Sequence, residues 1–304
     1  MKQMQRFHGE LYKRFNGKGN PQANKKGGGF FVTEIADNLF IPLDKVHISE
    51  FEAVPVENPM SDFFAIHSSS VMTVNLFGNK KISFHNGIFS QNDFEIEYEK
   101  QYATVKPMSP QYKPACIDVM MTSKNEIGDK EIIFFEMKMK EWLESNVKEN
   151  VKAYLDKKRY FYQDESYDAF HFMFERINRY IKAGEINVYD ASQMCRHLLA
   201  IFNMACDYKN ETGDTLAKTI RLINGIWEID DPAIIGEEFE QDYRIKKALS
   251  NKEYLLFKES ARLVIEQFAK MGITLRIDRM SVKQILDIIE THKLEREFKE
   301  RYLF

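Results

Sequence analysis

Ala115-Cys-Ile-Asp-Val-Met-Met-Thr-Ser123 and Lys130-Glu-Ile-Ile-Phe-Phe-Glu-Met-Lys-Met139 decide how this chain is read. Both are apolar runs of strand length. Between them, Asn125-Glu-Ile-Gly-Asp129 supplies Asn, Gly and Asp, which favour turns. A hairpin symmetric about Ile127 sets Asp118 opposite Glu136. Alternation then puts Asp118, Glu136 and Lys138 on one face, and Ile133, Phe135, Met137 and Met139 on the other. Ile132 and Phe134 continue the charged face as apolar residues. The charges therefore stand at the end of a buried strand, where an unpaired charge is expensive.

Two carboxylates brought together repel each other unless a cation lies between them. A few oxygen ligands suit Mg²⁺, which keeps several waters and often completes its shell with substrate phosphate. A lysine beside such an ion can orient the attacking water or neutralise charge on the phosphorane. The arrangement reads as metal-assisted phosphodiester hydrolysis. The same spacing also describes a surface hairpin carrying an Asp–Lys or Glu–Lys pair of little energetic consequence.

Pro114-x-x-x-Asp118 followed by Glu136-Met-Lys138 resembles the PD-(D/E)xK superfamily of restriction-endonuclease-like nucleases. More narrowly, the chain is similar to a group of bacterial restriction-endonuclease-like proteins. Ser69 with Asn75-Leu76-Phe77 resembles that group's Ser-Ser-Gln…Asn-Leu-Phe helix, although Ser70 stands at the glutamine position. Gln193-Met-Cys-Arg196-His197 resembles its Gln-x-x-Arg-His helix, and Glu141 fits an acid that follows the Glu-x-Lys. The likeness spans about residues 60–205.

The resemblance implies an α/β fold: a restriction-endonuclease-like mixed sheet flanked by helices, with additional C-terminal helices. It implies endonucleolytic cleavage of double-stranded DNA. Mg²⁺ or Mn²⁺ would be bound by Asp118, Glu136 and the Met137 carbonyl, with Lys138 positioning water. In the superfamily an acid on the preceding strand or first helix often assists. Phe94-Glu-Ile-Glu-Tyr-Glu-Lys100 alternates as a strand, and Glu97 is assigned that role; its alternative is a solvated edge-strand face. Ser69, Gln193, Arg196 and Glu141 are supporting candidates. The rival reading is a non-catalytic nucleic-acid or protein-binding module that retains the fold.

The rest of the chain sets bounds. At 304 residues it can bury a substantial core, and a net charge of −3 means that any DNA surface is a local patch. Cys116, Cys195 and Cys206 lack metal spacing and read as thiols in a reducing cytoplasm. No membrane-length apolar run occurs, so a cytoplasmic protein is expected. The expected divisions are an N-terminal extension over 1–59, a nuclease core with a helical insertion over 60–232, and a helical region over 233–304.

Within these, Asn16 to Gly29 reads as a flexible basic loop and Ser61 to Phe77 as one helix. Trp142 to Tyr162 reads as a charged helix able to track phosphates, though acidic residues dilute it. Thr219 to Ile229 reads as a late strand, with Asn224-Gly225 as a hairpin turn. Glu237 to Phe304 reads as helical throughout. That last region is open to three roles: a cap, a DNA-specificity element, or an oligomer contact that would make a homodimer.

Overall fold

The computed structural model describes residues 2–16, 24–26, 29–54, 60–106, 114–123, 130–144 and 151–304. Strands β1 (Asn24–Lys26) and β2 (Gly29–Phe31) pair as a small antiparallel ribbon. The main sheet holds β3 (Lys81–Ser83), β4 (Asp93–Tyr102), β5 (Ala115–Ser123), β6 (Glu131–Lys138), β7 (Thr219–Ile226) and β8 (Thr274–Ser281), in that order. From β3 to β6 the neighbours are antiparallel; β6, β7 and β8 run parallel. The helices are α1 (Lys2–Asn16), α2 (Lys45–Glu52), α3 (Ser69–Phe77), α4 (Glu141–Glu144), α5 (Asp168–Lys182), α6 (Ala191–Thr212), α7 (Glu237–Ser260), α8 (Arg262–Lys270), α9 (Val282–Ile288) and α10 (Glu295–Tyr302). The fold is an α/β mixed sheet flanked by helices, as expected.

Strand β6 explains the layering. Its apolar residues are contiguous rather than alternating with polar ones, as suits a strand covered on both faces. Ile133, Phe135 and Met137 enter one core, with α1, α3, α9 and α10; Ile132 and Phe134 enter a second core, with α5, α6 and α8. Helix α6 lies along this second face. It starts at Asp190, whose carboxylate accepts the Gln193 amide at 2.9 Å, and stops at Gly213, whose φ of 78° suits glycine.

Four expectations are corrected. Asn224-Gly225 lies inside β7, not in a turn, because both flanks of the pair hydrogen-bond in parallel register. A Cβ on Gly225 would lie 2.2 Å from Met137 Sδ, so the glycine serves close approach rather than chain reversal. The C-terminal region is not wholly helical: β8 joins the main sheet, burying Leu275 and Ile277 while Arg276 stays exposed. Residues 61–77 form a short 3-10 turn over Ser61–Phe64 and then α3, which Ser68 caps. After α4, residues 145–150 lie outside the described residues; beyond them come 3-10 turns at Lys152–Tyr154 and Lys157–Arg159, not a helix.

Arg159 is buried there and gives Nη1 to the Ala153 carbonyl at 3.2 Å and Nη2 to that of Lys106 at 3.1 Å, so it is a structural tie. The turn over Asn125 to Asp129 and most of the basic loop (17–23 and 27–28) are outside the described residues; the loop's remainder forms the β1–β2 ribbon. Among the described residues no helix is long and apolar enough to cross a membrane.

Candidate active site

The register places the charged residues. Val119 pairs with Phe135 and Met120 with Phe134, so continuing one step sets Asp118 opposite Glu136, as the symmetric hairpin predicts. On the other side Tyr98 pairs with Val119 and Lys100 with Ile117, which brackets Glu99 opposite Asp118. Glu99, Asp118 and Glu136 therefore form one row across β4, β5 and β6.

The ladder opens at this row. Asp118 Oδ2 accepts the Met137 amide at 2.6 Å. The amide and carbonyl of a strand residue point to the same side, so the Met137 carbonyl faces the same gap while its side chain fills the opposite core. Alternation also breaks here: Val119 belongs to the first core and Ile117 to the second. Glu99 carries the strain, with φ at 48° in the left-handed region that a non-glycine residue occupies at a cost of roughly 1–2 kcal/mol.

Glu136 is 1% exposed and both of its oxygens are engaged. Oε1 accepts Lys138 Nζ at 2.6 Å, and Oε2 meets His197 Nε2 of α6 at 2.9 Å. Burial pushes Glu136 up, but Lys138 and His197 outweigh it and hold the carboxyl at about 2. Lys138 stays cationic: burial favours its neutral form, and Glu136, Asp118 and Glu141 more than offset this. The other two acids lack such support. Asp118 is pushed well above the usual carboxylate range by burial and by the charges of Glu136 and Glu99. Burial raises Glu99 to about 7, against a 3.0 Å hydrogen bond from Cys116 Sγ to its Oε2. The site thus has more carboxylate than its own cations balance.

The remaining candidates are placed as follows. Glu97 opposes Met120 and pairs with Lys100, so Glu99 and not Glu97 stands beside Asp118. Glu141 opens α4, and its Oε2 accepts the Met139 amide at 2.7 Å, fixing the turn just after Lys138. On α6 the residue brought to Glu136 is His197, which the sequence reading passed over within its own Gln-x-x-Arg-His motif. Gln193 lies one turn before it on the same helical face, its amide bound to Asp190. Arg196 is half-buried and has no hydrogen-bond or ion-pair partner among the described residues. Ser69 is the first residue of α3, its carbonyl accepting Thr73 Oγ1 at 2.7 Å. Asn75, from the same motif, is a structural joint: it bonds the Phe40 amide, the Asn38 carbonyl and the Tyr302 hydroxyl.

Among the described residues, no group of three or more His, Cys, Asp or Glu side chains is already gathered as a metal cluster. The row that register aligns offers carboxylate oxygens, the chemistry of a hard divalent cation. Sheet, hairpin and row together define a restriction-endonuclease-like protein. A family model described as "Restriction Endonuclease associating with ARP" matches residues 8–303, and the chain belongs to that family. Neither the curated proteins nor the solved structures contain a match.

Proposed function

We propose that the chain cleaves DNA by divalent-metal-assisted phosphodiester hydrolysis. The observation that carries this reading is the row Glu99–Asp118–Glu136, with Lys138 bound to Glu136, at the point where the β5–β6 ladder opens. Asp118, Glu136 and the Met137 carbonyl would hold Mg²⁺ or Mn²⁺, with Glu99 beside them. When bound, the ion supplies Lewis-acid stabilisation of charge on the phosphate. Lys138 remains protonated and acts as a donor, orienting water or a phosphate oxygen rather than removing a proton. His197 holds the second oxygen of Glu136 and so fixes the direction of its carboxylate.

One observation favours a second reading. Both Glu136 oxygens already have partners, so the network also suits a non-catalytic binding module in which these charges are structural. Cleavage of plasmid DNA in Mg²⁺, Mn²⁺ or Ca²⁺, alongside calorimetric Mn²⁺ titration, separates the two. The parent is expected to bind Mn²⁺ and cut in Mg²⁺ or Mn²⁺, and to bind DNA without efficient cutting in Ca²⁺. Asp118→Asn is expected to lose cleavage and weaken Mn²⁺ binding while keeping the parent's melting behaviour. A parent that takes up no divalent ion and cuts no DNA leaves the binding module standing.

A further inference from the structure

The acidic row does not end at β6. Glu136 pairs in register with Asn224 of β7, and Asn224 with Arg279 of β8. Parallel partners share a face. Ile132 and Phe134, Ile220 and Leu222, and Leu275 and Ile277 all enter the second core, so Glu136, Asn224 and Arg279 point to that side in line. One step further along the strands, Lys138 pairs with Ile226, and Ile226 with Ser281. Ile226, Arg279 and Ser281 line a groove of about 460 Å³, together with Asn251 and Leu255 of α7. The groove therefore begins one strand from Lys138, at the carboxyl ends of the parallel strands, where open α/β sheets commonly bind ligands.

Arg279 is held for use in this groove. Its Nη1 donates to the Ser250 carbonyl at 2.7 Å and its Nη2 to Ser250 Oγ at 2.8 Å, and the rings of Tyr189 and Tyr254 lie 5.8 and 5.9 Å from the guanidinium carbon. These bonds fix the fork without neutralising it: no carboxylate among the described residues is within ion-pair distance. Glu228 also lines the groove, but Lys247 pairs with it at 3.0 Å. Glu253, held by the amides of Asn187, Val188 and Tyr189, acts on the guanidinium only beyond ion-pair distance, and neutral polar side chains of Asn251, Ser281 and Gln284 line the groove beside it.

We propose that this groove holds a backbone phosphate of the DNA strand flanking the scissile bond, with Arg279 as its ligand; this rests on the nuclease reading of the acidic row. Two interstrand steps separate Arg279 from Glu136, about 10 Å at the usual strand spacing. That corresponds to roughly three nucleotides at the axial rise of one DNA strand. A fixed guanidinium at that offset sets the register of the duplex, while the carboxylates act on the scissile phosphate.

The test measures binding of a labelled duplex in Ca²⁺ across a salt series, for the parent, Arg279→Gln, Arg279→Lys and Asn251→Glu. Arg279→Gln is expected to weaken binding by roughly tenfold and to lower the log K against log salt slope by about one. Arg279→Lys should restore the slope. Asn251 is exposed on α7, so Asn251→Glu leaves the fold alone and should weaken binding roughly three- to tenfold by repelling phosphate. If Arg279→Gln does not fold, Asn251→Glu decides alone. Parental affinity and slope in both variants, from a parent that binds and cuts DNA, would overturn the groove but not the nuclease. A parent that neither binds nor cuts removes both.

Discussion

At the scale of single residues, Glu99 and Glu97 offer a sharp contrast. Both are glutamates on one strand two positions apart, and nothing in their type distinguishes them. Register does: Glu97 meets Met120, whereas Glu99 falls opposite Asp118 with its backbone in a strained conformation. Glu99→Gln is therefore expected to reduce cleavage or metal affinity by about 10- to 100-fold. Glu97→Gln should stay within about twofold, since it loses only a part-exposed pair with Lys100. Equal effects in a cleavage assay would remove Glu99 from the site. Asp118, Glu136 and Lys138 were legible because a short symmetric hairpin leaves little freedom in pairing. Glu99 was not, because the β4–β5 connection is long and fixes no register in sequence. His197 left a weaker signal: a polar ring on the helical face of Met194, Cys195, Leu198 and Leu199, all buried, needs a partner to face it.

His67 carries a second residue-scale prediction, on stability. Its ring stacks on His8 with centroids 4.2 Å apart, and burial, His8 and Lys140 lower its pKa to about 3. The folded value lies below the unfolded value of about 6.5, so protonation favours the unfolded chain. The stability this ring contributes is complete above pH ~6.5 and is lost as pH falls from there towards 3. Stability from urea unfolding between pH 7.5 and 4.5 should fall more steeply for the parent than for His67→Phe, by at most about 1.4 kcal/mol per pH unit. Parallel curves would show that the ring does not titrate against folding.

At the scale of elements, the sheet outvoted local sequence at Asn224-Gly225. Asn-Gly is a strong turn signal, yet β7 runs straight through Asn224 and Gly225 because both neighbouring strands pair with it. Asn224 Nδ2 donates to the Glu136 carbonyl at 3.2 Å, and Gly225 gives Met137 room, so the dipeptide supports the strand that bears the site. Gly225→Ala should cost about 1–3 kcal/mol, as overpacking does, read as a lower urea midpoint at unchanged m. A neutral result would mean that Met137 can move aside freely. Strand β8 was missed differently. Its alternation is present in Thr-Leu-Arg-Ile-Asp-Arg, and Gly272, with φ at 81°, marks the stop of α8, but long helical patterns on either side masked a strand of eight residues.

At the scale of the whole molecule, the two cores divide the work. The acidic row faces α6, through His197, while the first core binds the two ends of the described chain to each other. Arg301 of α10 is 6% exposed, gives Nη1 to the Asn38 carbonyl at 2.7 Å and Nη2 to Asn38 Oδ1 at 3.2 Å, and lies over the rings of Phe15 and Phe40. Asn38 in turn gives Nδ2 to the carbonyls of Phe63 and Ala65. Trp227 Nε1, just past β7, donates to the Tyr302 carbonyl at 2.7 Å. Residues far apart in sequence are thus joined through one buried guanidinium with carbonyl oxygens and rings around it. Arg301→Ala removes both hydrogen bonds and the packing of the stem, and should lower stability by about 2–4 kcal/mol. Arg301→Met keeps the volume and should recover part of the loss. Because Arg301 sits on the face opposite Glu136, cleavage per folded molecule should match the parent in both variants. Denaturation midpoints and cleavage rates normalised to the folded fraction check this together. An unchanged midpoint in Arg301→Ala would deny Arg301 its part as a joint, and altered cleavage by the folded fraction would show that the two faces are coupled.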